Sequence, residues 1–88
     1  MGQPLARLGD STDHGGTIIS GAERTLVDGQ PAARMGDEHE CGYTYHGTGT
    51  ISSGSETTLI EGQPAARVGD TTSCGATIVS GSETTMVG

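Results

Sequence analysis

The chain has 88 residues with a net charge of −7, built from four Arg, no Lys and eleven acidic residues. That balance excludes a nucleic-acid or anionic-lipid surface, because both need a cationic patch. Only 31% of residues belong to the apolar set, with no Phe or Trp, so one small domain with a thin core is expected and some staple (a metal, a disulfide or a larger partner) should support it.

The chain opens on GQPLARLGD, Gly2 to Asp10, which recurs as GQPAARMGD at Gly29 and as GQPAARVGD at Gly62. A second element, TIISGAERTLV from Thr17, recurs as TISSGSETTLI from Thr50 and as TIVSGSETTMV from Thr77. The first element steps by 27 and then 33 residues and the second by 33 and then 27, so the chain is one unit written three times, at about 2–28, 29–61 and 62–88, with six extra residues in the second. Self-similarity of this kind is the signature of a repeat architecture.

Within each unit the pattern is β. Thr17-Ile18-Ile19 and Thr77-Ile78-Val79 are β-branched runs of strand length, and no helical period is sustained. Gly21, Gly54 and Gly81 break these runs as hairpin turns would, and Asp28-Gly29-Gln30-Pro31 and Glu61-Gly62-Gln63-Pro64 are further turn signals. The predicted fold is all-β: a compact body of short hairpins whose three units close around an axis with pseudo-threefold symmetry, stapled by a metal. Arg7, Arg34 and Arg67 stand three residues before Asp10, Asp37 and Asp70 and are expected to pair with them. Glu23, Glu56 and Glu83 are expected to face solvent.

Four residues beyond each of those aspartates stands a metal-ligand type: His14, Cys41 and Cys74, each followed by Gly. Closure of the three copies would bring them together. The insertion lies between Cys41 and Thr50 and contains His46, which would supply the fourth ligand of a tetrahedral site. The expected set is His14, Cys41, His46 and Cys74, and thiolate with imidazole suits one structural Zn²⁺. His39 is an alternate ligand, two residues before Cys41 on the same strand face. A Cys41–Cys74 disulfide with surface histidines is the competing reading of the same residues. A catalytic metal would need an open position and a base such as Glu38 or Glu40, and no enzymatic arrangement stands out, so an enzyme is not expected.

The tetrapeptides Pro31-Ala32-Ala33-Arg34 and Pro64-Ala65-Ala66-Arg67, with Pro4-Leu5-Ala6-Arg7 in the first copy, resemble the motif of the PAAR-repeat family. The SG(S/A)E segments, DHGG at Asp13 to Gly16 and SCGA at Ser73 to Ala76 are similar to it as well. The resemblance implies a zinc-bearing cone that caps the trimeric β-helical spike of a bacterial type VI secretion system, one chain per trimer. Such a protein aids membrane puncture and in some cases attaches effectors. It implies cytoplasmic storage before firing and export to the extracellular space or a target cell without a signal peptide. The expected domain is 1–88, with no C-terminal effector extension. A free-standing zinc-stabilised β-repeat binding module is the alternative.

Overall fold

A computed structural model describes residues 2–13, 15–40 and 48–87 of the chain. These residues form nine short strands: β1 Gln3–Pro4, β2 Thr17–Ile18, β3 Leu26–Val27, β4 Gln30–Pro31, β5 Glu38–Glu40, β6 Thr48–Thr50, β7 Leu59–Ile60, β8 Gln63–Pro64 and β9 Met86–Val87. Among the described residues there is no helix. The radius of gyration is 11.3 Å, against about 12 Å for an ordinary chain of this length.

Each strand is too short to hold a sheet alone, and all strand pairing is antiparallel: β1 with β9, β3 with β4, β7 with β8, and β5 with both β2 and β6 in one three-stranded sheet. Two hairpins follow directly from the sequence. Asp28-Gly29 and Glu61-Gly62 are two-residue connections with positive φ at both positions, 54° and 83° in one and 50° and 88° in the other. That is the type I′ geometry, whose twist matches the flanking strands and which favours Asp-Gly. A third turn recurs in every copy. Arg7, Arg34 and Arg67 accept, through their carbonyls, the N–H of Asp10, Asp37 and Asp70 at 2.9–3.0 Å. The intervening Gly9, Gly36 and Gly69 have φ of 93°, 95° and 99°, as the third position of a type II turn requires.

Gly21, Gly54 and Gly81 do not make the hairpins the sequence suggested. β2 does not fold back on β3; it pairs with β5 of the following copy. The three glycines are needed for close approach instead. A Cβ on any of them would fall 2.9 Å from a backbone carbonyl, that of Ala32, Ala65 or Leu5 respectively. No side chain fits there without the strands moving apart.

The copies are interlaced by the backbone. The N–H of Ala33 donates to Ala6, that of Ala66 to Ala33, and that of Ala6 to Ala66, at 2.9–3.0 Å, so three hydrogen bonds close a ring. Around it run Leu8 to Pro31, Met35 to Pro64 and Val68 to Pro4, each N–H donating to the next copy's carbonyl at 2.8–2.9 Å. Two apolar layers sit on this ring. Ala6, Ala33 and Ala66 pack with Ile18, Ile51 and Ile78 in one; Leu5, Ala32 and Ala65 pack with Ala22, Val27 and Ile60 in the other. Burying each isoleucine contributes about 1.5–3 kcal/mol.

The expected Arg–Asp pairs form in all three copies. The backbone N–H and Nε of each Arg donate to one carboxylate oxygen at 2.7–3.1 Å and Nη2 donates to the other at 2.9–3.2 Å. A serine of the preceding copy joins each: Ser80 with Asp10, Ser20 with Asp37, Ser53 with Asp70. The turn of one copy is thereby tied to its neighbour. Glu23, Glu56 and Glu83 are exposed, as expected.

Burial works to raise the Asp70 carboxyl, but the hydrogen bonds from Arg67 and Ser53 outweigh it and hold the group below its usual 3.8. A carboxylate stabilised in this way contributes fully above its unfolded value and loses that contribution as pH falls through the folded one. Unfolding followed from pH 7 to pH 2 should therefore show stability falling below about pH 4. Asp70→Asn should be less stable at pH 7 and lose less on acidification.

Candidate metal centre

The strands bring one polar cluster to the edge of the isoleucine layer. β5 reads exposed, buried, exposed across Glu38, His39 and Glu40, the alternation of a half-buried strand. His39 is its inward residue, with none of its surface exposed. Its cross-strand partner is Ile18, and directly opposed residues share a face. The positions equivalent to His39 in the other copies are Thr12 and Thr72, which face Ile78 and Ile51 across isolated bridges. Both are buried, at 3% and 4% exposure. One imidazole and two hydroxyls therefore meet beyond the three isoleucines.

The imidazole is held at both nitrogens. His39 Nε2 lies 2.9 Å from Thr12 Oγ1, and Nδ1 faces Cys74 Sγ at 3.9 Å. The sulfur also lies 3.2 Å from Thr72 Oγ1, and that oxygen accepts the N–H of Ala76 at 3.2 Å. Cys74 is not a free thiol; its sulfur is disulfide-bonded, with the partner outside the described residues. This is the state that the bridge reading of the two cysteines requires. The metal reading concerns the reduced chain.

The donor set can be tested against a metal by distance. With Zn–S of about 2.3 Å and Zn–N of about 2.0–2.1 Å at a tetrahedral angle, two ligands stand about 3.6 Å apart. Cys74 Sγ and His39 Nδ1, at 3.9 Å, need only a small adjustment to share one ion. A surface opening is lined by Thr48, Gly49, Ser73 and Cys74. The spacing suits one ion, but the chemistry would suit it only in the reduced chain, since a sulfur in a disulfide is not a thiolate ligand.

Of the expected ligands, Cys74 is in the cluster, whereas His14, Cys41 and His46 lie outside the described residues. The alternate ligand, His39, is brought directly against Cys74. Spacing from the aspartates pointed to the position two residues further on; strand alternation of Glu-His-Glu is the signal that marks His39 as inward. Glu38 and Glu40, the bases a catalytic metal would call on, are exposed on the other face of the strand. Among the described residues no group of three or more His, Cys, Asp or Glu converges.

Compared with known families, the chain matches the PAAR motif over residues 1–80. No curated protein matches it.

His39→Ala should destabilise even the metal-free chain, because it empties a fully buried site and orphans the hydroxyl of Thr12. The expected loss is about 2–4 kcal/mol, read from urea midpoints with chelator present. A loss under half a kilocalorie would mean that the imidazole is not packed as described.

Proposed function

The chain belongs to the PAAR motif family, and on that premise we propose that it is a structural spike-tip protein, which caps and sharpens the trimeric spike of a bacterial type VI secretion system. The observation that carries this reading is the closed ring of repeated contacts through Ala6, Ala33 and Ala66, together with what it leaves on the surface. Leu26, Leu59 and Met86 occupy the same place in the three copies, and all are well exposed, at 61%, 64% and 56%. They flank Val27, Ile60 and Val87, which belong to the layer away from His39. A pseudo-threefold body with one apolar side chain per copy suits a threefold partner: each residue meets an equivalent socket on one of three identical chains. The partner is a β-helical spike trimer, one chain per trimer.

At the other end, one structural zinc is held by four side chains, Cys74 and His39 with His14 and His46, the three-His, one-Cys form of the set in which the alternate His39 replaces Cys41, and it stiffens the point. Zinc binding of this kind contributes on the order of 10 kcal/mol in apparent terms, comparable with the whole stability of a small domain. The role is mechanical and not catalytic. The protein waits in the bacterial cytoplasm, leaves with the spike and helps it pierce the target envelope, with effector attachment as an optional further role.

Pull-down with a recombinant spike trimer, with zinc measured in the complex, should give one chain and one zinc per trimer. Leu59→Asp should weaken capture and leave the melting temperature of the free chain within a few degrees. No association of the parent chain overturns the reading and returns the free-standing binding module.

Separately, stripping zinc from the reduced chain with a chelator should unfold it or lower its melting temperature sharply. Unchanged melting after verified removal would defeat the structural role of the metal.

A further inference from the structure

Asp28 and Glu61 stand at the same place in the first two copies, two residues beyond the exposed Leu26 and Leu59. Each carboxylate reaches out of its own copy to the one before it in the ring. Ser82 and Thr84 donate their hydroxyl protons to Asp28 at 2.6 and 2.8 Å, and Arg7 of its own copy donates from Nη1 at 3.1 Å. Glu61 accepts the N–H of Arg24 at 3.0 Å and the hydroxyl of Thr25 at 3.2 Å, with Arg34 Nη1 3.9 Å away. The segments so gripped lead directly into the next exposed apolar residues: Thr84 lies two before Met86, and Thr25 one before Leu26. Side-chain length matches reach. The third copy offers the hydroxyl of Ser82, which also accepts the N–H groups of Thr84 and Thr85, and there the shorter Asp suffices. The first copy has Ala22 at that position, and the longer Glu61 passes on to the backbone and to Thr25.

We propose that Asp28 and Glu61 are positioning residues for the threefold docking face: Asp28 ties Leu26 to Met86, and Glu61 ties Leu59 to Leu26, so that the three apolar side chains keep the spacing a trimer presents. The inference rests on the spike reading given above. Ion pairs this exposed add little to stability; what these carboxylates fix is relative position. A partner with three identical sockets takes all three side chains only if their separations match, and loose hairpin ends would have to be ordered at the moment of binding. The third counterpart of Asp28 and Glu61 is Gly88, outside the described residues.

Affinity of the full chain for a recombinant spike trimer, measured in solution, tests this. Asp28→Asn is expected to weaken it about three- to tenfold, an ordinary intramolecular hydrogen bond read as affinity, with the free chain melting within a few degrees of the parent. Asp28→Glu should rescue binding, since Glu61 occupies the same positive-φ position in its own hairpin. Ser82→Ala, which makes the third copy like the first at Ala22, should weaken binding similarly, and the double variant should be no weaker than either single one. Parent affinity in Asp28→Asn, a loss that Asp28→Glu fails to restore, or full additivity with Ser82→Ala overturns the inference and leaves the spike reading standing. A parent chain that binds no spike trimer defeats that reading and this inference with it.

Discussion

The ring of hydrogen bonds through Ala6, Ala33 and Ala66 is the constraint on which the rest depends. Three backbones approach closely enough to bond one another in a cycle, and each alanine methyl is completely buried. A larger side chain at any of the three would enter a centre already filled by the other two. The adjacent position is less restricted: Leu5 stands where the other copies have Ala32 and Ala65, and its extra bulk is absorbed into the second apolar layer. The proline that opens each motif contributes its carbonyl, which accepts an N–H from the preceding copy. Gly21, Gly54 and Gly81 belong to the same constraint, because they let a further strand reach the carbonyl beside each ring position.

With so small a core, polar contacts take on more of the work of fixing one arrangement. Three of the four arginines are committed to bidentate pairs with nearly buried aspartates, and bidentate, charge-assisted bonds are the stronger kind. The serine hydroxyls that reach these carboxylates come from a different copy, so local turns and the joins between copies are stabilised together. Asp28 extends the scheme. It sits at positive φ in its hairpin, and Ser82, Thr84 and Arg7 donate to its carboxylate; the hydroxyl bonds are the chief reason its pKa is lowered.

Much of this was legible in the sequence because repetition is a long-range signal carried by local text. The three Arg–Asp turns and the Asp-Gly and Glu-Gly hairpins needed only short spacings and the φ preferences of glycine. The role of Gly21, Gly54 and Gly81 was not legible, since a glycine that permits close approach looks the same as one that turns the chain, and only the pairing of β2 with β5 tells them apart. Ligand candidates counted forward from Asp10, Asp37 and Asp70 included Cys74 but ranked His39 second. Counting along the chain does not reveal which residues face inward; the register of β5 does.

The departures from threefold repetition are not spread evenly, and their placement bears on the proposed role. The six inserted residues fall between β5 and β6, on the sheet that carries His39, and the substitution of His for Thr occurs in the same strand. The hairpins that carry Leu26 and Leu59 have two-residue connections of the same geometry, and Met86 pairs with Pro4 as Leu26 and Leu59 pair with Pro31 and Pro64. A closed structural zinc site takes four protein ligands, one more than three equivalent positions supply, so an end proposed to hold one would have to depart from the repeat. A face proposed to meet three identical chains would have to keep it. Threefold repetition that departs at one end would meet both proposed demands in a single short chain, with the ring of alanines between the two layers.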